Sequence, residues 1–296
     1  IKMSNKIKNV FTIKDLENLS GIKAHTIRMW EKRYSILEPM RTDSNIRYYD
    51  IHNLQKLLNV STLNSFGYKI SNIARLPEER IPILVKEVLS NKSMTNFVLN
   101  NFKLAMMNFD LPLFSNTYAS LQADNTFRTI FYEYFLPLLD DIGMLWQTGT
   151  ISPAHEHFVS SLIKQKVAAN TDKLQHIPPT KTDRVYALYL PENEIHEIGL
   201  MFINYELLLN GYKTIYVGES MPLNYIKDIK NYFDNITFIT YITSQPYAED
   251  ITPYIRMVRE QVLNDDTSEL LIFGRNTQYI NQKLLDDGRV KAFARI

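Results

Sequence analysis

Residues 182–296 alternate between two kinds of segment. RVYALYLP, KTIYVGE, ITFITYIT and ELLIFG are short runs rich in apolar, aromatic and β-branched residues, each read as a strand. Between them lie IGLMFINYELLLNGY, PLNYIKDIKNYF and YAEDITPYIRMVREQVL, each long enough and patterned to be a helix. Strict strand–helix alternation predicts a parallel, doubly wound sheet, because parallel neighbours need a crossover and a helix supplies it. Ligands in such sheets bind beyond the carboxyl ends of the strands. PENEIHEIGLMF, residues 191–202, begins at that end of the first strand and carries His196 between two acids.

The rest of the chain is of another kind. At 296 residues it suits two or three domains. It has no cysteine, which excludes disulfides, thiolate zinc sites and cysteine nucleophiles and fits a reducing compartment. No apolar run approaches the roughly 18 residues of a membrane span, and no signal-peptide pattern opens the sequence. The expectation is a soluble, cytoplasmic protein with no membrane partner. Charge is unevenly spread: residues 1–80 hold 14 Lys and Arg against 8 Asp and Glu, and the remainder holds 19 against 24. A basic head on a mildly acidic body suggests a polyanion-binding module joined to something else.

The head runs over residues 1–78. FTIKDLENLSG reads as a short helix with Thr12 as N-cap, Asp15 three residues on, and Leu16 and Leu19 inward. Gly21 permits a tight turn. IKAHTIRMWEKRY is a second helix carrying His25, Arg28, Lys32 and Arg33. Two short helices around a glycine turn, the second basic, form a helix-turn-helix pattern. LEPMRTDSNIRYYD is too polar for the core and sets Arg41, Asn45, Arg47, Tyr48 and Tyr49 on a wing able to reach phosphates. Asp50 then caps a helix with Leu54, Leu57 and Leu58 inward.

Residues 79–178 read as a helical bundle. Phe131, Phe135, Leu138, Ile142 and Leu145 form one apolar stripe, and Ser152-Pro153 opens a further helix through Phe158, Val159, Leu162 and Ile163. His155 and His157 lie two apart on that helix and point away from each other, so no independent metal site is expected there. Trp146 on its own reads as core.

The segments TIRMWEKRY, Pro39–Arg41 and NIRYYD resemble the MerR family of winged-helix transcription regulators, most closely its light-responsive, CarH-like branch. The resemblance implies that Thr26 and Arg28 sit on the recognition helix and Arg41, Arg47 and Tyr48 on the wing, contacting a double-stranded DNA operator. Ile27 is expected in the core; Trp30 faces either core or groove. Glu194-x-His196-x-x-Gly199 is similar to the DxHxxG signature of base-off cobalamin-binding domains, with Glu for Asp. The resemblance then implies His196 as the lower axial ligand of cobalt, Glu194 as holder of its other imidazole nitrogen, and Gly199 as space for the nucleotide tail. Thr240-x-Ile242 stands where that family has SxL, and Gly274-Arg275 where it has a glycine pair. Trp146, Gln147, Glu156 and His157 resemble the cap of CarH-like proteins, where they would meet the upper corrin face.

The fold implied is multidomain α and α/β: a winged helix-turn-helix over 1–78, a helical bundle over 79–178, and a Rossmann-like cobalamin-binding domain over 182–296. The function implied is a non-enzymatic regulator, a dimer or tetramer, controlled by a corrinoid such as adenosylcobalamin. A regulator that kept the fold and lost the cofactor is the alternative, and a methyl-carrying corrinoid protein is a third reading that the arginine-rich head disfavours. Gln147 stands where CarH-like proteins have a histidine that ligates cobalt after illumination, so any light response should be weaker than theirs. Arg275 introduces a long charged side chain where the family has none.

Overall fold

The computed structural model describes residues 10–42, 45–88, 94–285 and 288–296. Asp43 and Ser44 of the wing stretch lie outside the described residues. The chain divides into two compact units, Ile1–Ser161 and Leu162–Ile296.

The first unit opens with α1 (Ile13–Ser20), where Thr12 and Asp15 form a reciprocal capping box, and Gly21 ends the helix at φ 75°. α2 (Ala24–Tyr34) buries Ile27 and Trp30, so Trp30 belongs to the core. The wing is a two-stranded antiparallel ribbon, β1 (Met40–Arg41) with β2 (Arg47–Tyr48), where only a turn-rich loop was expected. α3 (Ile51–Ser65) is capped by Asp50 through the Asn53 amide and buries Leu54, Leu57 and Leu58.

α4 (Ile70–Ile73), α5 (Arg80–Val88), α6 (Met94–Asn108), α7 (Leu111–Asp124), α8 (Phe127–Ile130) and α9 (Leu136–Gln147) follow. All five residues of the apolar stripe are buried. The helix carrying them is not regular, because Phe131–Phe135 is one π turn, closed by the Leu136 amide on the Phe131 carbonyl. Pro137 explains it: a proline has no N–H for the carbonyl four residues back and clashes with it in an α turn, and the wider turn relieves this. The turn delivers Phe135 against Phe102, Phe114 and Tyr118, with ring centroids 5.7, 6.3 and 5.8 Å apart. α10 (Pro153–Gln175) carries the chain across the boundary between the units.

The second unit is a five-stranded parallel sheet of order β4-β3-β5-β6-β7. Its strands are β3 (Lys181–Tyr189), β4 (Tyr212–Gly218), β5 (Ile236–Tyr241), β6 (Glu269–Phe273) and β7 (Val290–Phe293). The parallel sheet stands as expected, with two differences. β7 is a fifth strand of four residues, too short to show a pattern. The segment PLNYIKDIKNYF is only one α turn, α12 (Leu223–Ile226), continued as a 3-10 helix to Asn231. One face of the sheet packs Ala187, Tyr189, Phe238, Ile242 and Ile272 against α13 (Ala248–Gln261). The other packs Leu188, Leu190 and Ile239 against Leu200 and Ile203 of α11 (Ile198–Leu209). β3 lies between β4 and β5, so the loops after β3 and β5 meet at the switch point where the strand order reverses.

Candidate corrinoid and nucleic-acid sites

Glu194 organises the switch point. It is fully buried, and both its oxygens are saturated. Oε1 accepts from the amides of Ile195 (2.9 Å) and His196 (3.0 Å) and from His196 Nδ1 (2.6 Å). Oε2 accepts from the amides of Thr243 (3.0 Å), Ser244 (2.7 Å) and Gln245 (2.9 Å), which follow β5. Burial raises a carboxyl pKa, but here the imidazole and the amides of Gln245, Ser244 and His196 outweigh it and bring Glu194 down to about 2. The group is therefore a carboxylate, an acceptor only, and His196 must present N–H at Nδ1. The lone pair of the neutral ring is thereby fixed on Nε2, and the side chain is about half exposed (47%). This is the geometry of an imidazole oriented for a metal by a carboxylate on its other nitrogen. The extra methylene of Glu over Asp gives the carboxylate reach to the second loop.

Gly199 opens α11 beside this loop, and a Cβ there would lie 2.5 Å from Cε2 of the Tyr241 ring. Thr240 does not face Gly199. Side chains alternate along a strand, and Thr240 lies between Phe238 and Ile242 on the α13 side, with its buried Oγ1 lacking a hydrogen-bond partner. The side chain that β5 turns toward α11 is Tyr241. Ile242 is buried. Gly274, at φ 110°, follows β6 so closely that a Cβ would overlap the Ile242 carbonyl oxygen, so glycine is required there by the backbone. Arg275 is exposed and donates from Nε to the Thr243 carbonyl at 3.2 Å, which explains its length as a brace on that loop.

In the first unit, Trp146 and Gln147 end α9 and Glu156 and His157 begin α10, separated by residues 148–152. Trp146 is 55% exposed, so the core reading is overturned, and neighbouring Met144 is exposed as well. Glu156 accepts from Ser160 Oγ at 3.0 Å and lies 3.7 Å from His157 Nε2. His155 instead stacks on Phe109, and burial lowers its pKa. Among the described residues no cluster of three or more His, Asp or Glu could hold a metal ion.

On the head, His25, Arg28, Arg33, Arg41, Asn45 and Arg47 are exposed, and Thr26 and Tyr48 are partly so. Arg41 donates to Asn45 Oδ1 at 2.6 Å. Glu31, which the sequence reading passed over, ties α2 to the wing by accepting from Arg47 Nε at 2.9 Å and Tyr49 hydroxyl at 2.8 Å. Glu197, the second of the acids flanking His196, accepts from Tyr216 hydroxyl and pairs with Lys164, both at 3.0 Å. Glu31 lies inside TIRMWEKRY and Glu197 inside PENEIHEIGLMF, but only the fold brings their partners near.

Residues 11–79 match the model of the MerR HTH family regulatory proteins, and residues 98–170 match that of the B12 binding domain. The HTH-type transcriptional repressor CarH of Myxococcus xanthus is 27% identical over 221 residues, 73% of each chain. The HTH-type transcriptional repressor CarA of the same organism is 23% identical over 212 residues, 71% of this chain and 68% of that one. Among solved structures, the monomethylamine corrinoid protein of Methanosarcina barkeri superposes with a TM-score of 0.55 at 13% identity, covering 68% of this chain and 93% of that one, a likeness of fold. The chain joins a MerR-type helix-turn-helix domain to a B12-binding domain.

Proposed function

We propose that this protein is a DNA-binding transcription regulator whose DNA binding or assembly is set by a corrinoid ligated by His196. The observation that carries the reading is the buried Glu194 carboxylate on His196 Nδ1, which leaves Nε2 as the metal-directed nitrogen. The residues present fit such a group: an oriented imidazole stands at a strand-end switch point, on a fold shared with a corrinoid protein. When bound, the group would supply a cobalt centre for His196 to ligate and, in its adenosyl form, a light-sensitive cobalt–carbon bond.

His196 binds and orients; Glu194 holds its tautomer and ties the two loops together. Trp146, Gln147, Glu156 and His157 are offered as the first unit's corrinoid-contacting side chains, which suits an exposed tryptophan. His25, Thr26, Arg28, Arg33, Arg41, Asn45, Arg47 and Tyr48 are offered as contacts to double-stranded DNA. Repeated half-sites call for a dimer or tetramer on the operator. The similarity to two transcriptional repressors supports regulation rather than catalysis. The amide of Gln147 is a poor cobalt ligand beside imidazole, so light should alter DNA binding weakly, and Gln147→His should strengthen the response.

One observation favours a cofactor-free regulator, the Tyr241 ring lying on Gly199. The test is a gel-shift titration on DNA selected in vitro by the full chain, with and without hydroxocobalamin or aquocobinamide. On the corrinoid reading at least one of them shifts the affinity of the wild type and not of His196→Ala. Identical titrations under all conditions would leave the cofactor-free reading.

A further inference from the structure

Gly199 is the position where the family resemblance sets space for the nucleotide tail, and in this chain a side chain already fills that space. An ideal Cβ on Gly199 would lie 2.5, 2.7 and 2.9 Å from Cε2, Cζ and Cδ2 of Tyr241. The ring therefore packs against the first turn of α11, among Leu188, Leu200 and Ile239. The alternation of β5 fixes this: Tyr241 follows Ile239 on the α11 face, and Thr240 is turned to the other. The hydroxyl of Thr240 cannot serve a ligand on the α11 side. Gly199 is required here by the tyrosine as much as by any ligand.

We infer that Tyr241 selects among corrinoids, favouring those without a lower nucleotide over complete cobalamins. The inference rests on the proposed role of His196. A corrin ring with no nucleotide needs only the His196 nitrogen and the strand-end loops. If Gly199 marks the tail space, as the resemblance implies, a complete cobalamin bound through His196 must also fit its displaced tail where the Tyr241 ring now stands. To do so it must expel the Tyr241 ring from its packing, a cost the shorter ligand avoids.

The experiment compares the dissociation constants of aquocobinamide and hydroxocobalamin, by visible absorbance, in the full-length wild type, Tyr241→Ser and Tyr241→Phe. Wild type should bind cobinamide at least as tightly as cobalamin. Tyr241→Ser should shift the ratio toward cobalamin by about tenfold or more, equivalent to roughly 1.4 kcal/mol. Tyr241→Phe, which keeps the ring, should leave it unchanged. The ratio is taken within one protein preparation, so partial unfolding of a variant does not mimic the result. Wild type binding cobalamin much more tightly than cobinamide, with the ratio unmoved in Tyr241→Ser, overturns the selection by Tyr241 and leaves His196 as ligand. Failure of both corrinoids to bind any of the three proteins overturns the corrinoid reading itself.

Discussion

Glu194 is worth more than its place in a motif suggests. Its carboxylate accepts from two amides and the His196 imidazole of its own loop, and from three amides of the loop after β5. Charged hydrogen bonds of this kind are worth about 1.5–3 kcal/mol each when a partner is removed. Glu194→Ala should destabilise the second unit by several such increments and release His196, which circular dichroism melts of the full chain would show. The pH dependence has a defined sign. The folded pKa, about 2, lies below the ordinary 4.5, so the stability is complete above about 4.5 and is lost as pH falls through about 2. Glu194→Gln should lack that component, and its melting temperature should fall less than the wild type's between pH 4.5 and 2. The spacing Glu194-x-His196 was legible because the pairing is local. The three amides at 243–245 were not, because only the parallel pairing of β3 with β5 brings them within reach.

Elements were readable wherever period and length agreed. α3 shows this, as do α13 and the strands β3, β5 and β6, whose apolar runs are long. Failures came where one residue changed the geometry. Pro137 made a π turn inside an otherwise regular stripe, and along β5 the side chain that packs toward α11 is Tyr241, to which the sequence reading gave no role. A strand read without its neighbours gives alternation but not which face is which. Gly274→Ala is a test of the strand-end packing: a methyl group at φ 110° against the Ile242 carbonyl should cost on the order of 1–3 kcal/mol, read from urea midpoints. On the head, Glu31 links α2 to the wing through Arg47 and Tyr49. Glu31→Ala should weaken DNA binding without Glu31 touching DNA, by loosening Arg47. Arg28→Ala and Arg41→Ala should each cost about 1–3 kcal/mol if they read bases and weaken all sequences alike if they hold phosphate. Gel shifts on matched and scrambled DNA separate these outcomes, and unchanged affinity in both variants would remove the two arginines from the interface.

The charge division of the sequence, basic through residue 80 and acidic beyond, corresponds to a head with exposed arginines joined to modules of a different purpose. Among the described residues no helix is long and apolar enough to cross a membrane. That architecture was legible because each module has its own periodicity. The proposed ligand preference was not, because it rests on how one tyrosine ring packs against one glycine. His196 is proposed as the protein's cobalt ligand. The most direct measurement is electron paramagnetic resonance of the full chain loaded with cob(II)inamide, which has no base of its own. With natural-abundance protein the axial nitrogen of His196 should split each cobalt line into three. With protein labelled at histidine with ¹⁵N, each should become a doublet, and in His196→Ala the splitting should vanish. Spectra without nitrogen splitting, or with a splitting that persists in His196→Ala, would contradict the account.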